Sequence, residues 1–203
     1  MARSAPVAAE LIHDSALAAS GLLSPKIGGP SVFPPQPPGI WDVPNSEDKW
    51  IESKGEDRDR RSIYTFIRRS VPYPALLNFD ATSREFCTVR RTRTNTPLQA
   101  LTTLNDPAFF EMAQALAERM LREGGETDRS RVEYGLRLVT GRFPKPGDAD
   151  RILSWRDRRR EYFAAHADEA LKVAGNKDDS ASRASWTMVA NVLLNLDEAI
   201  TKE

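Results

Sequence analysis

At 203 residues, with 40% hydrophobic and 29% charged side chains, the chain carries enough apolar material for a substantial core. Its 29 basic residues balance 29 acidic ones, so overall charge gives no attraction to a polyanion. The single cysteine, Cys87, excludes an internal disulfide, and no stretch approaches the roughly 18 consecutive apolar residues of a membrane span.

The chain starts with a helical pattern over residues 4–23. Leu11, Ser15, Ala18 and Leu22 share one face, and Gly21 is placed to end the helix. Glu10, His13 and Asp14 interrupt any apolar core of a signal peptide here. Next comes PKIGGPSVFPPQPPGIWDVPN, too rich in proline and glycine for a helix. Val32, Phe33, Ile40 and Trp41 are the side chains expected to pin this arm to the rest of the protein, and residues 45–59 read as polar and exposed. Residues 61–71 fit a short helix or a strand equally, and Pro72 and Pro74 end them. Residues 73–93 read as a loop anchored by Leu76, Leu77, Phe79 and Phe86.

The second half carries clearer helix signals. Thr96-Pro97-Leu98-Gln99 is a capping box with proline at the first helical position, leading a helix with Leu98, Leu101 and Leu104. Asn105-Asp106-Pro107 ends that helix and starts another, with Asp106 as cap and Phe109, Ala113, Leu116 and Met120 in one stripe up to Gly124. Asp128 is the expected cap of a third helix closed by Gly141, and Pro146 the expected start of a fourth carrying Ile152, Trp155, Arg159, Tyr162 and Phe163. Ser182 is the expected cap of the last, where Trp186, Val189, Leu193, Leu196 and Ile200 repeat at helical spacing. There is no internal repeat and no alternation of strand and helix. The expected fold is mainly α: one helical domain over residues 1–203, with an N-terminal helix and irregular proline-rich arm over 1–60 and a helical core over 61–203.

Charge is unevenly placed. Residues 58–93 hold nine arginines against three acids, so the remainder is correspondingly acidic. Arg84, Arg90, Arg91 and Arg93 then run into the helix start at Asn95, Thr96 and Gln99, with Asn105 and Asp106 at the next one. Guanidinium forks beside helix N-termini suit an anionic group. The favoured expectation is that the same arginines form a structural hub that ties loop carbonyls and acidic side chains together. Aromatic residues are not interleaved with residues 84–95, and no nucleic-acid-binding signature occurs, so nucleic acid is not an expected partner.

Other candidates are weaker. Cys87 lies among arginines that favour a thiolate, but a catalytic thiol needs a base and His13 and His166 are distant in sequence, so a buried, inert cysteine is expected. Asp80, Glu85 and Asp106 are candidate acid/base carboxylates, and Asn195, Asp197 and Glu198 candidate cation ligands. No phosphate-binding glycine loop, nucleophile elbow, metal-spaced Cys/His set or haem-attachment motif is found, so no catalytic residue and no cofactor is assigned.

Four blocks carry a resemblance: LAASGLLSPKIGGPSVFPPQPPGIWD, RRSIYTFIRRSVP, FDATSREFCTVRRTRTNTPLQALTTLNDPAFFEMAQALAERM and WTMVANVLLNLDEAITKE. They resemble an uncharacterised bacterial domain family that forms the C-terminal part of large secreted planctomycete-type proteins bearing a cytochrome c-like domain. The resemblance implies that the chain is the tail of a longer protein, at the periplasm or cell surface, with haem c and a signal peptide upstream. It implies upstream domains as partners. The leading expectation is a non-catalytic accessory or interaction module. The rival is binding or breakdown of an anionic, sulfated or uronic, polysaccharide by the 84–105 region.

Overall fold

The computed structural model describes residues 5–42, 49–175 and 178–202. The sequence expectations for residues 4, 43–48, 176–177 and 203 fall outside these. Among the described residues the protein is a helical bundle. Its helices are α1 (Ala9–Ser20), α2 (Pro74–Leu77), α3 (Pro97–Asn105), α4 (Pro107–Glu123), α5 (Asp128–Thr140), α6 (Asp148–Ala165), α7 (Ala167–Val173), α8 (Ser180–Leu194) and α9 (Asp197–Ile200). Two short strands, β1 (Ala5–Pro6) and β2 (Thr201–Lys202), pair antiparallel and join the two ends of the described chain.

The bundle is organised around α4. Its stripe of Phe109, Ala113, Leu116 and Met120 is buried as the spacing predicts, and it packs against α1, α5 and α8. Trp186, Val189 and Leu193 on α8 complete the core, and α8 also carries α6 and α7. The α8 stripe continues through a break at Asn195 to Ile200 on α9. Gly135 on α5 lets that helix approach closely: a Cβ there would stand 2.7 Å from the Met120 sulfur and 3.0 Å from Leu193. A small satellite core of Phe163, Ala170, Ala174 and Ala184 seats α7, a helix not expected from sequence.

Several local expectations need correction. On α1 the face of Leu11, Ser15 and Ala18 is exposed, and the buried side is Ile12, His13, Ala16 and Leu17. Both stripes have helical spacing; contact with α4 selects the second. Thr127, not Asp128, caps α5, which frees the Asp128 carboxylate for Arg131 and Arg156. The chain enters α6 through a left-handed Gly147 one residue past Pro146, and α8 starts at Ser180, two residues before Ser182. Tyr162 lies on the exposed side of α6, where it stacks on His166.

The irregular arm is fixed by aromatic side chains and by a guanidinium. Val32 and Trp41 are buried, as expected of pinning residues, while Phe33 and Ile40 are half-buried. Phe33, Trp41, Trp50, Phe66 and Tyr73 form a continuous ring cluster with centroid separations of 5.0–6.0 Å. The Trp50 indole donates to the Pro34 carbonyl (2.8 Å) and the Tyr73 hydroxyl to that of Pro35 (2.7 Å). The 61–71 segment is part 3₁₀ turn (Ser62–Tyr64) and part extended, since Val32 exchanges backbone hydrogen bonds with Tyr64 and Phe66. Arg60 is only 2% exposed; it donates to the carbonyls of Lys26, Gly28 and Pro30 and stacks 3.8 Å from the Tyr64 ring. A proline- and glycine-rich strand offers carbonyls without matching N–H donors, and one guanidinium supplies them.

Candidate functional site

The segment singled out by the arginine run begins at Asp80, whose backbone is left-handed (φ 62°). Its carboxylate accepts from the Thr94 N–H (2.6 Å), the Thr94 hydroxyl (2.8 Å) and the Gln99 side-chain amide (3.4 Å). Gln99, at N3 of α3, returns its carbonyl to the Thr96 N–H at 3.0 Å, and Thr96 accepts from the Gln99 N–H, which is the capping box read from sequence. Asn95 donates to Asp197 (3.2 Å). Asp106 caps α4 through the Ala108 N–H at 2.9 Å; burial pushes its carboxyl up, against the helix N–H groups that favour the anion. Asn105 is exposed and bonds back to the Leu101 carbonyl.

This arrangement turns α3 inside out relative to its sequence pattern. Gln99, Thr102 and Thr103 are buried, while Leu98 and Leu101 are each 55% exposed. Polar partners cause the inversion. Thr102 receives the Asn78 side chain (3.0 Å), Thr103 bonds to Asn195, and Gln99 serves Asp80. Fully partnered polar groups pack inward without penalty, and the leucines are left outside.

The loop that closes at Thr94 is exposed from Arg84 to Arg90. Phe86 is 80% and Val89 105% exposed, so neither Phe86 nor the exposed Leu77 is the anchor expected; Leu76 and Phe79 are. Cys87 is likewise exposed, which corrects the expectation of a buried thiol. Arg84 has a left-handed backbone (φ 65°), uncommon for a residue with a Cβ. Arg91 is held: one guanidinium nitrogen donates to both oxygens of Glu10 on α1, at 2.8 and 2.7 Å. Burial opposes ionisation of Glu10, but Arg91, aided by Arg84, holds its carboxyl below the usual range. Arg93 is exposed. Thus Asp80, not the arginines, secures the base of the loop to α3, and Arg91 ties it to α1 rather than to the α3 or α4 N-terminus.

A groove of about 360 Å³ opens between α1, the Ser62–Tyr64 turn, α2 and this loop. Arg61, Arg84 and Arg91 stand on its wall beside Glu10 and Asp14, and the exposed Leu11, Ile63 and Leu77 supply its apolar lip. Of the sequence candidates it gathers Arg84 and Arg91 and leaves Arg90, Arg93, Asn105 and Asp106 elsewhere.

Sequence reasoning missed the polar cluster at its floor. The Ser62 hydroxyl lies 3.0 Å from His13 Nδ1, and the Ser62 N–H donates to Asp14 at 2.7 Å. This is not a nucleophilic triad. Asp14 stands 4.0 Å from the same ring nitrogen, Ser62 and His13 are buried, and Nε2 of His13 has no hydrogen-bond partner among the described residues, so no described carboxylate orients the base. His13 instead packs edge-on to Tyr73 and Phe109. Had the α1 register been set on Ile12 and Leu17, His13 and Asp14 would have been legible as buried polar residues. Among the described residues no group of three or more His, Cys, Asp or Glu side chains is placed to hold a metal ion, and no helix is long and apolar enough to cross a membrane.

Residues 2–156 match the family described as PSD1: protein of unknown function (DUF1553). No curated protein and no solved structure matches the chain.

Proposed function

Since the chain belongs to the DUF1553 family, whose description assigns no activity, we propose from the geometry that it is a helical interaction module whose docking surface is the stretch from Arg84 to Leu101. One observation carries the reading. Phe86, Val89, Leu98 and Leu101 are all exposed within sixteen residues of chain, while the polar Gln99 is buried beside them. Apolar side chains displayed on a tethered loop and a fixed helix, with arginines interspersed, suit a partner that is apolar at its centre and acidic at its edge. The partner is an upstream domain of a larger extracytoplasmic, planctomycete-type protein that carries haem c, in keeping with the sequence resemblance.

A second reading is favoured by a separate observation. Arg84 and Arg90 form no ion pair among the described residues. Exposed forks of this kind suit sulfate or uronate groups of an anionic polysaccharide.

Photo-crosslinking in the full gene product separates the two. With p-benzoylphenylalanine in place of Phe86, the docking reading expects a crosslink from residue 86 to an upstream domain, read as a linked peptide pair after digestion, that disappears in the Leu98→Asp, Leu101→Asp variant. Absence of any such crosslink overturns it. Salt-sensitive retention on dextran sulfate, lost in Arg84→Gln, Arg90→Gln, supports the polysaccharide reading instead.

A further inference from the structure

A second groove, of about 530 Å³, lies between α5, α6, α8 and the start of α9. That is the size of a small-molecule site. Its floor is apolar, formed by Leu136, Ile152, Val189, Leu193 and Leu196 with the Trp155 ring on the wall. Val189 and Leu193 belong to the main core, so the floor is a rigid part of the bundle.

The charged rim is asymmetric. At one end Arg142 bridges Glu198 (2.6 Å) and Asp148 (3.5 Å), with Lys145 3.7 Å from Glu198. Asp197 accepts from Asn95 and from the Thr201 hydroxyl. The carboxylates of the groove are therefore all engaged. The α6 wall is not balanced in this way. Arg151, Trp155 and Arg158 follow one another along two turns of the helix and all line the groove. Neither Arg151 nor Arg158 forms an ion pair among the described residues; Arg158 donates to the Ser154 hydroxyl at 2.9 Å. Arg159 lies 5.5 Å from the Trp155 ring and adds to the positive flank.

An apolar trough beside two guanidinium groups that form no ion pair among the described residues selects one ligand chemistry. The ligand needs an apolar body to cover the floor and a single anionic head for the fork donors. A neutral hydrocarbon leaves the arginines unused, and a multiply charged ion leaves the floor wet. We infer that this groove binds a free amphiphilic monoanion of the medium-chain fatty-acid class. The carboxylate is held by Arg151 and Arg158, and the alkyl chain runs along Ile152, Val189 and Leu193.

The test is a tryptophan-fluorescence titration of the whole chain with decanoate and with 1-decanol, the same tail without the charge. Decanoate is expected to give a saturable response that is lost from the emission of Trp155→Phe. Binding should weaken by about tenfold or more in Arg151→Gln, Arg158→Gln, with the response to 1-decanol unchanged. Val192→Trp, which fills the groove from a half-buried position, should remove both responses. The paired glutamines sit at exposed positions, so the test stands even where Val192→Trp fails to fold. The inference is overturned if decanoate gives no saturable response, or if it binds no better than 1-decanol. It is also overturned if the glutamine pair leaves its affinity unchanged. Co-sedimentation with phosphatidylglycerol vesicles without binding of monomeric decanoate overturns it in favour of a lipid surface.

Discussion

The arginines of residues 58–68 and those of residues 84–93 belong to one basic run, yet they meet opposite fates. Arg58 joins Glu52, Asp59 and Glu111, Arg60 is engulfed by the carbonyls of the arm, and Arg68 stacks on Trp41. Arg84 and Arg90 project into solvent. The difference follows from what lies opposite. Arg58 meets carboxylates and Arg68 an aromatic ring, while Arg60 faces a segment rich in proline and glycine whose backbone acceptors lack donors, and burying those acceptors without a guanidinium is costly. Arg84 and Arg90 face open surface, whereas at Arg91 Glu10 of α1 comes within reach. Arginine density in a sequence therefore marks a region of unmet demand, either from the chain's own backbone or from a partner.

The comparison breaks most sharply at Arg60. Arg60→Ala should cost about 3 kcal/mol or more, because several buried carbonyls lose their donor together. Arg90→Ala should stay within about 0.5 kcal/mol. Urea denaturation of both variants measures this, and near-equal values would erase the distinction between the two groups.

Next in size is the aromatic anchor of the arm. Tyr73→Phe deletes the buried hydroxyl bond to Pro35 and should lower stability by about 1–2 kcal/mol while speeding limited proteolysis within residues 25–42. Unchanged protection of the arm would mean that stacking on Trp50 suffices.

Thr96→Ala should cost about 1 kcal/mol, read as a lower melting temperature. A melting temperature unchanged within error would show that Asp80 and Gln99 hold the base of the loop without the cap.

The Glu10–Arg91 pair sharpens the loop side of the comparison. The folded-state pKa of Glu10 lies below its ordinary 4.5, so the pair's contribution is complete above that value and fades as the pH falls through the lowered one. Both side chains are about a third exposed, so the effect should stay below about 1 kcal/mol. Proteolysis at residues 84–90 should accelerate below pH 4.5 in the native chain and be already fast, without that pH step, in Glu10→Gln.

The smallest effect is expected at Cys87, which is exposed. Cys87→Ser should leave stability unchanged, and the native thiol should react with a disulfide reagent as fast as in the unfolded chain. A protected thiol would place the loop against the body of the protein.

Local signals in the sequence were sufficient for the caps at Thr96, Asp106, Gly21 and Gly141, for the α4 stripe and for the α8 repeat, because each depends on chemistry within one helical turn or on strong periodicity. They were sufficient for the mainly helical class as well. They did not decide which of two stripes on α1 is buried, or that α3 points its leucines outward. Those choices belong to partners far away in the chain: α4 for the first, and Asn78, Asp80 and Asn195 for the second. The groove beside Arg84 and Arg91 and the trough beside Arg151 and Arg158 were illegible for the same reason. A cavity exists only where several elements meet, and the energy that selects their arrangement comes from buried area and paired polar groups summed over the whole fold.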